Sequence, residues 1–273
     1  MVPLSPILER VFMRRARPLV WPPLNIGHRG ACGEAPENTL AAFELAWRQG
    51  ASGVELDVHL SGDGVPVVIH DASLDRTTSG HGWVREHRAR VLRRLDAGSW
   101  FNRRFPSRAR EQYAGARIPT LAEVLRWARR RECQMFIEIK DPSPGTEKAV
   151  LDEIDSFHAW DLARVISFDR VVLARLRQIN PHARLGVDST RQLFAIRRAQ
   201  ALGAELVLPH WAVASRRFIR DAHQASLRVI PWTINLPIHM RQKILDGVDG
   251  IITNYPARLA AVVERLEKVK DEL

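Results

Sequence analysis

Only two cysteines occur in the 273 residues, Cys32 and Cys133, far apart and outside any metal-ligand spacing. A disulfide framework and a zinc site are therefore not expected, and a reducing compartment fits. No run approaches the roughly 20 apolar residues needed to span a bilayer. Near the start, Ile7, Leu8, Val11 and Phe12 lead into Arg14, Arg15 and Arg17, with no long apolar segment and no small-residue cleavage site. A soluble, cytoplasmic chain is expected. The N-terminal segment suits a helix packed on the domain, with a short basic amphipathic helix on a membrane surface as the alternative. Low-complexity tracts and nucleic-acid recognition motifs are also missing, so nucleic acid is not an expected partner.

Positive charge is abundant. Lys and Arg number 41 against 31 Asp and Glu, a net charge of +10, which favours anionic partners such as phosphorylated metabolites or lipid headgroups. Most of that charge is Arg, whose planar fork suits phosphate, although genome composition alone also enriches Arg.

Short runs rich in Val, Ile and Leu recur, each followed by a stretch of helical period, as in successive βα units around a parallel sheet. Eight strands are expected: 24–28, 53–58, 135–140, 164–168, 184–187, 205–209, 228–232 and 250–253. Phe43, Ala46 and Trp47, and later Val171, Ala174, Arg175 and Leu176, carry the helical spacing. The fold class is α/β, a (β/α)8 TIM barrel, for which about 250 residues are typical. Val65 to His70 follows the turn Gly62-Asp63-Gly64 and is expected to pair with the second strand as a hairpin. From Ser73 to Pro119 the pattern breaks, too long for a plain loop, so an inserted subdomain is expected at about 73–119. Thr120 with Glu123 has capping-box spacing for the next helix. The organisation is thus an N-terminal extension, 1–23, and one barrel domain, 24–270.

Residues i and i+2 of a strand share a face, so Glu55-Leu56-Asp57 sets two carboxylates side by side, and Glu138-Ile139-Lys140 repeats the arrangement. A solvated face is the ordinary explanation for such pairs. On strands otherwise apolar it weakens, because a buried carboxylate costs several kcal/mol unless paired or metal-bound. Glu55, Asp57 and Glu138 therefore suggest a site for one divalent cation, Mg²⁺ or Ca²⁺, since oxygen donors select hard ions. His28 and His70 each end an extended run, where imidazole, titrating near neutral pH, can exchange protons with a substrate. Arg29 and Lys140 are candidates for phosphoryl oxygens. Asp71, next to His70, has the spacing of a turn cap.

Gly27-His28-Arg29-Gly30, Pro36-Glu37-Asn38-Thr39, Glu55-Leu56-Asp57-Val58, His70-Asp71 and Leu74-Asp75-Arg76-Thr77-Thr78 come in that order. Leu95 to Phe101, Ile118-Pro119-Thr120-Leu121, Glu138-Ile139-Lys140, Ser167-Phe168-Asp169, Trp232 to Asn235 and Asp249 to Pro256 follow. In order and spacing the series resembles the glycerophosphodiester phosphodiesterases, over most of the chain from Ile26 to Leu259. The resemblance implies metal-dependent hydrolysis of small glycerophosphodiesters to sn-glycerol 3-phosphate and an alcohol. It also implies His28 and His70 as the acid–base pair, Glu55, Asp57 and Glu138 as metal ligands, and Arg29 and Lys140 as phosphate contacts. His70 is expected to protonate the leaving alcohol and His28 to act as base. Glu37 and Asn38 are expected as supports behind the ligands, or as capping residues of the following helix. Trp232 is expected against the glycerol carbons, or as barrel packing.

Two departures from the family pattern, His59 and Ala122, are expected to touch none of these residues. His210 is expected as a loop histidine, with the barrel mouth as the alternative. Arg103, Arg104, Arg108, Arg110 and Arg117 form either a solvated basic face or a surface that steers anionic diesters or meets anionic lipid. Two other functions remain open: a lysophospholipase D or phospholipase-type phosphodiesterase acting on intact lipid, and a phosphate- or nucleic-acid-binding protein without catalysis, against which the complete set of site residues argues.

Overall fold

The computed structural model describes residues 21–192 and 194–271; the N-terminal helix expected before residue 21 lies outside them. The strands are β1 (Leu24–His28), β2 (Gly53–Leu60), β3 (Pro66–Val68), β4 (Gln134–Ile139), β5 (Ala163–Ser167), β6 (Leu185–Ser189), β7 (Leu206–Pro209), β8 (Arg228–Val229) and β9 (Gly250–Thr253). Eight of them run parallel in the order β8-β7-β6-β5-β4-β2-β1-β9, with β3 antiparallel on β2. The two ends of that order meet through backbone hydrogen bonds, Asp249 N to Val229 O and Ile252 N to Pro231 O. The sheet is a nearly closed (β/α)8 barrel.

Why the strands bury both faces follows from their sequence. The outward residues, among them Leu56, Val58, Met135, Ile137 and Val165, join the helices in the largest apolar cluster. The inward residues Ile26, Phe136, Ile166, Leu206, Leu208, Ile230 and Ile252 form a separate plug inside the barrel, as a packed barrel interior requires. Two residues beyond Ile26, Phe136, Ile166, Gly186, Ile230 and Ile252, on the same faces, stand His28, Glu138, Phe168, Asp188, Trp232 and Asn254. A dry layer thus underlies a polar one at the carboxyl ends of the strands.

The eighth strand is shorter than the run 228–232 expected for it. Pro231 has no N–H to give a ladder, although the chain stays extended and Trp232 N still donates to Pro209 O. Between Ser73 and Pro119 are only short helices and turns, including Ala89–Leu92 and Ser99–Arg104. Leu74, Val84, Leu92 and Ile118 pack there with Val67 and Ile69 of the hairpin, so this segment braces the strand that carries His70. Part of its basic run is used in packing: Arg104 and Arg108 lie over Phe105, and Arg108 donates to Gly33 O. No helix among the described residues is long and apolar enough to cross a membrane.

The helix Leu121–Arg131 opens with the capping box that its sequence announces. Thr120 Oγ1 accepts from Glu123 N, and Glu123 Oε2 accepts from Thr120 N. Thr120→Ala is expected to cost about 1 kcal/mol, read as a lower urea midpoint at unchanged slope; an unchanged midpoint contradicts this role for the cap.

Candidate active site

Parallel pairing of β2 with β4 sets Asp57 opposite Glu138, and Glu55 lies two residues back on the same face. Oxygen atoms of the three carboxylates lie within 4.8 Å of one another, and all three residues are buried. Such a group could hold a metal ion. Its charges are unevenly met. Burial, then the charges of Asp57 and Glu138, push the Glu55 carboxyl well above its ordinary range. Glu138 is pushed up to about 7, first by burial and then by Asp57, with Lys140 opposing. Burial acts against Asp57 too, but Arg29 and Lys140 outweigh it and leave this carboxyl below its ordinary value. Lys140 Nζ stands 2.8 Å from Glu138 and 3.3 Å from Asp57. Protons gathered on buried carboxylates are what a divalent cation displaces on binding, so the donor set fits a hard ion.

The loop after β1 turns sharply. Arg29 and Gly30 have φ of 51° and 82°, and a Cβ on Gly30 would come within 2.5 Å of the Ala42 backbone, so only glycine fits there. The strained Arg29 backbone presents its N–H to Glu55 Oε2 at 2.9 Å. Its guanidinium reaches Glu37 at 2.8 Å and Asp57 at 3.2 Å. Asn38, also at positive φ, donates Nδ2 to Asp57 Oδ2 at 2.8 Å. The helix cap is Thr39 instead, whose Oγ1 accepts from Ala42 N, so Glu37 and Asn38 hold Arg29 and Asp57 rather than the helix end.

His28 Nδ1 lies 2.7 Å from Asn254 Oδ1. An amide oxygen only accepts, so Nδ1 carries the proton and Nε2 keeps its lone pair. Burial, reinforced by the neighbouring Arg29, lowers the imidazole to about 4, which leaves it neutral at pH 7. His70 comes in from the opposite direction, because the hairpin turns back and Ile69 N bonds Asp57 O. Its Nδ1 is 2.6 Å from Asp71 Oδ1, so Asp71 orients the imidazole instead of merely capping a turn. Arg76 bridges Asp71 and Glu37, tying the supports of the two histidines together.

His28, Arg29, Glu55, His70, Glu138, Lys140 and Trp232 all line one cavity of about 210 Å³, with Ile166 and Ile252 among its walls. Trp232 is fixed by its Nε1 hydrogen bond to Leu208 O and meets Phe168 edge-on. Sequence reading assigns no role to two further lining residues, Phe168 and Asp188. Period 2 alone was a usable signal for both: Ile166 and Phe168, like Gly186 and Asp188, continue inward faces. One expectation is overturned. His59 does touch a site residue, since its Nε2 donates to the backbone oxygen of His70 at 3.0 Å. The fold of the hairpin, invisible in a residue list, brings the two together. His210 sits in the loop after β7, where its Nδ1 accepts from Ala212 N and its ring meets Trp232 edge-on.

A model of the glycerophosphoryl diester phosphodiesterase family matches residues 28–258. The chain is 33% identical over 250 residues to a glycerophosphodiester phosphodiesterase of Bacillus subtilis, covering 85% of this chain and 84% of that one. It is 34% identical over 246 residues to one from Caldanaerobacter subterraneus, covering 89% and 98%. Among solved structures, an Oleispira antarctica phosphodiesterase in complex with the product sn-glycerol 3-phosphate superposes with a TM-score of 0.81 at 30% identity, over 89% of this chain and 97% of that chain. The chain belongs to the glycerophosphoryl diester phosphodiesterase family and is a phosphoric diester hydrolase.

Proposed function

We propose that this chain hydrolyses small glycerophosphodiesters to sn-glycerol 3-phosphate and an alcohol, with His28 and His70 as the acid–base pair. The observation that carries this is the convergence of two imidazoles, Arg29, Lys140, Glu55 and Glu138 on one cavity, with Asp57 buried in the same carboxylate cluster. Similarity to enzymes named for this activity supports the same reading.

In this reading Glu55, Asp57 and Glu138 would hold one divalent cation, Mg²⁺ or Ca²⁺, which would supply positive charge where negative charge builds on the phosphoryl oxygens. Arg29 and Lys140 donate hydrogen bonds to those oxygens. His28, neutral and with Nε2 free of its proton, takes the proton from the attacking hydroxyl; where that hydroxyl is glycerol's, the first product is a cyclic phosphate, which water then opens to sn-glycerol 3-phosphate with the two histidines exchanging roles. His70, steadied by Asp71, delivers a proton from Nε2 to the leaving oxygen as the P–O bond breaks. Trp232 lies flat against the glycerol carbons. Glu37 and Asn38 keep Arg29 and Asp57 in place.

His28→Ala and His70→Ala are each expected to lower the release of sn-glycerol 3-phosphate from glycerophosphocholine by about 10²- to 10⁴-fold, with circular dichroism and melting temperature preserved. Normal turnover by either variant contradicts the mechanism. Lysophosphatidylcholine serves as the comparison substrate, and its faster hydrolysis replaces this reading with the lipid-cleaving one. For the base, ¹⁵N NMR of the metal-free protein at pH 7 is expected to find His28 neutral with the proton on Nδ1, charging only as the pH falls toward about 4. A His28 already cationic at pH 7 contradicts its assignment as base.

A further inference from the structure

A carboxylate with no hydrogen-bond or ion-pair partner faces the active-site cavity beside the carboxylate cluster, with Glu138 and Glu55 as its strongest charged neighbours. Asp188 is 6% exposed, and its Oδ2 is buried without a hydrogen bond. Two other buried carboxylate oxygens lack hydrogen bonds, Asp57 Oδ1 and Glu205 Oε1, but Lys140 and Arg164 pair with them. Among the described residues, Asp188 Oδ2 is thus the one buried carboxylate oxygen with neither kind of partner. The strand fixes its direction. A Cβ on Gly186 would meet Leu206 and Leu208 of the interior plug at 2.4 and 2.8 Å, so Gly186 faces inward and Asp188, two residues on, faces inward above it. Leaving such an oxygen unpaired forfeits its hydration with nothing in return, which points to a donor that arrives with the ligand.

The chemistry of that donor follows from what surrounds it. Ile166, Ile252 and Trp232 give the cavity apolar walls suited to carbon atoms, and its two cations, Arg29 and Lys140, already pair with Glu37, Asp57 and Glu138. A phosphodiester bound at Arg29 and Lys140 has two arms. The arm of variable size leaves by the mouth, and the arm enclosed in a space of about 210 Å³ must be small. Glycerol is small and carries vicinal hydroxyls, each a hydrogen-bond donor. Resting on the reading of the site given above, we propose that Asp188 accepts a hydrogen bond from a hydroxyl of the glycerol arm and so selects glycerol phosphates over alkyl phosphates of equal length.

The test compares binding of sn-glycerol 3-phosphate with binding of propyl phosphate, which has the same three carbons and no hydroxyl, by isothermal titration to the Mn²⁺-loaded protein. The wild type is expected to prefer the glycerol ligand by about 10- to 100-fold. Asp188→Leu is expected to reduce that preference to about threefold or less while still binding propyl phosphate and Mn²⁺. Asp188→Asn, which keeps the size and one acceptor oxygen, is expected to fall between them and guards against a leucine variant that does not fold. Preference unchanged in both variants overturns the proposal, as does a wild type that binds the two phosphates equally. Loss of Mn²⁺ with the preference also overturns it, by assigning Asp188 to the cation. Turnover of glycerophosphocholine by the wild type is measured separately, so failure of the hydrolytic reading and failure of the Asp188 contact are told apart.

Discussion

Three carboxylates forced together in a dry barrel are the constraint on which the rest of the site depends. β2 and β4 pair in a register that leaves Glu55, Asp57 and Glu138 on one inward face, above a plug of Ile, Leu and Phe that keeps water out from below. Like charges at this spacing in a medium of low dielectric repel strongly, and bringing each out of water costs several kcal/mol. Burial and mutual repulsion raise Glu55 and Glu138, whereas Asp57, which pairs with both Arg29 and Lys140, stays low. An arrangement this costly persists because counter-charges and hydrogen bonds offset it.

Much of the surrounding structure supplies those counter-charges. Arg29 is bent into a left-handed backbone so that both its N–H and its guanidinium serve the cluster. Asn38 and Lys140 satisfy Asp57 from two sides. Behind them, Glu37, Arg76 and Asp71 form a chain of charge-assisted contacts that ends on His70, and the segment from Ser73 to Pro119 packs against the hairpin that carries it. Pre-positioning of this kind lets a site stabilise developing charge without reorganising.

The barrel was legible because its strands are apolar on both faces and its helices are not, so the period changes at each boundary. β1 and β9 occur at the residues expected, and the capping box at Thr120 is as its spacing implies. What eluded the sequence depends on contacts far apart in the chain. Asn254 sits in a recognised motif, yet its pairing with His28 needs β1 and β9 to be neighbours. His59 stands out in the sequence only as a departure from the family pattern, and it is the returning hairpin that brings it to the His70 carbonyl. Asp188 is a single acidic residue near a strand end, an ordinary feature in sequence; its meaning appears when the interior face and the missing partner are both known. The eighth strand is shorter than its extended run because Pro231 lacks an N–H, which breaks the regular ladder although Trp232 N and Pro231 O still make single bonds to β7 and β9.

Anomalous diffraction from crystals soaked in Mn²⁺ and sn-glycerol 3-phosphate tests the central claim most directly. One ion is expected among Glu55, Asp57 and Glu138, at distances of about 2.0–2.3 Å from their oxygens, with the phosphate between it and both His28 and His70. An ion bound elsewhere, or a phosphate that lies out of reach of either imidazole, contradicts the account.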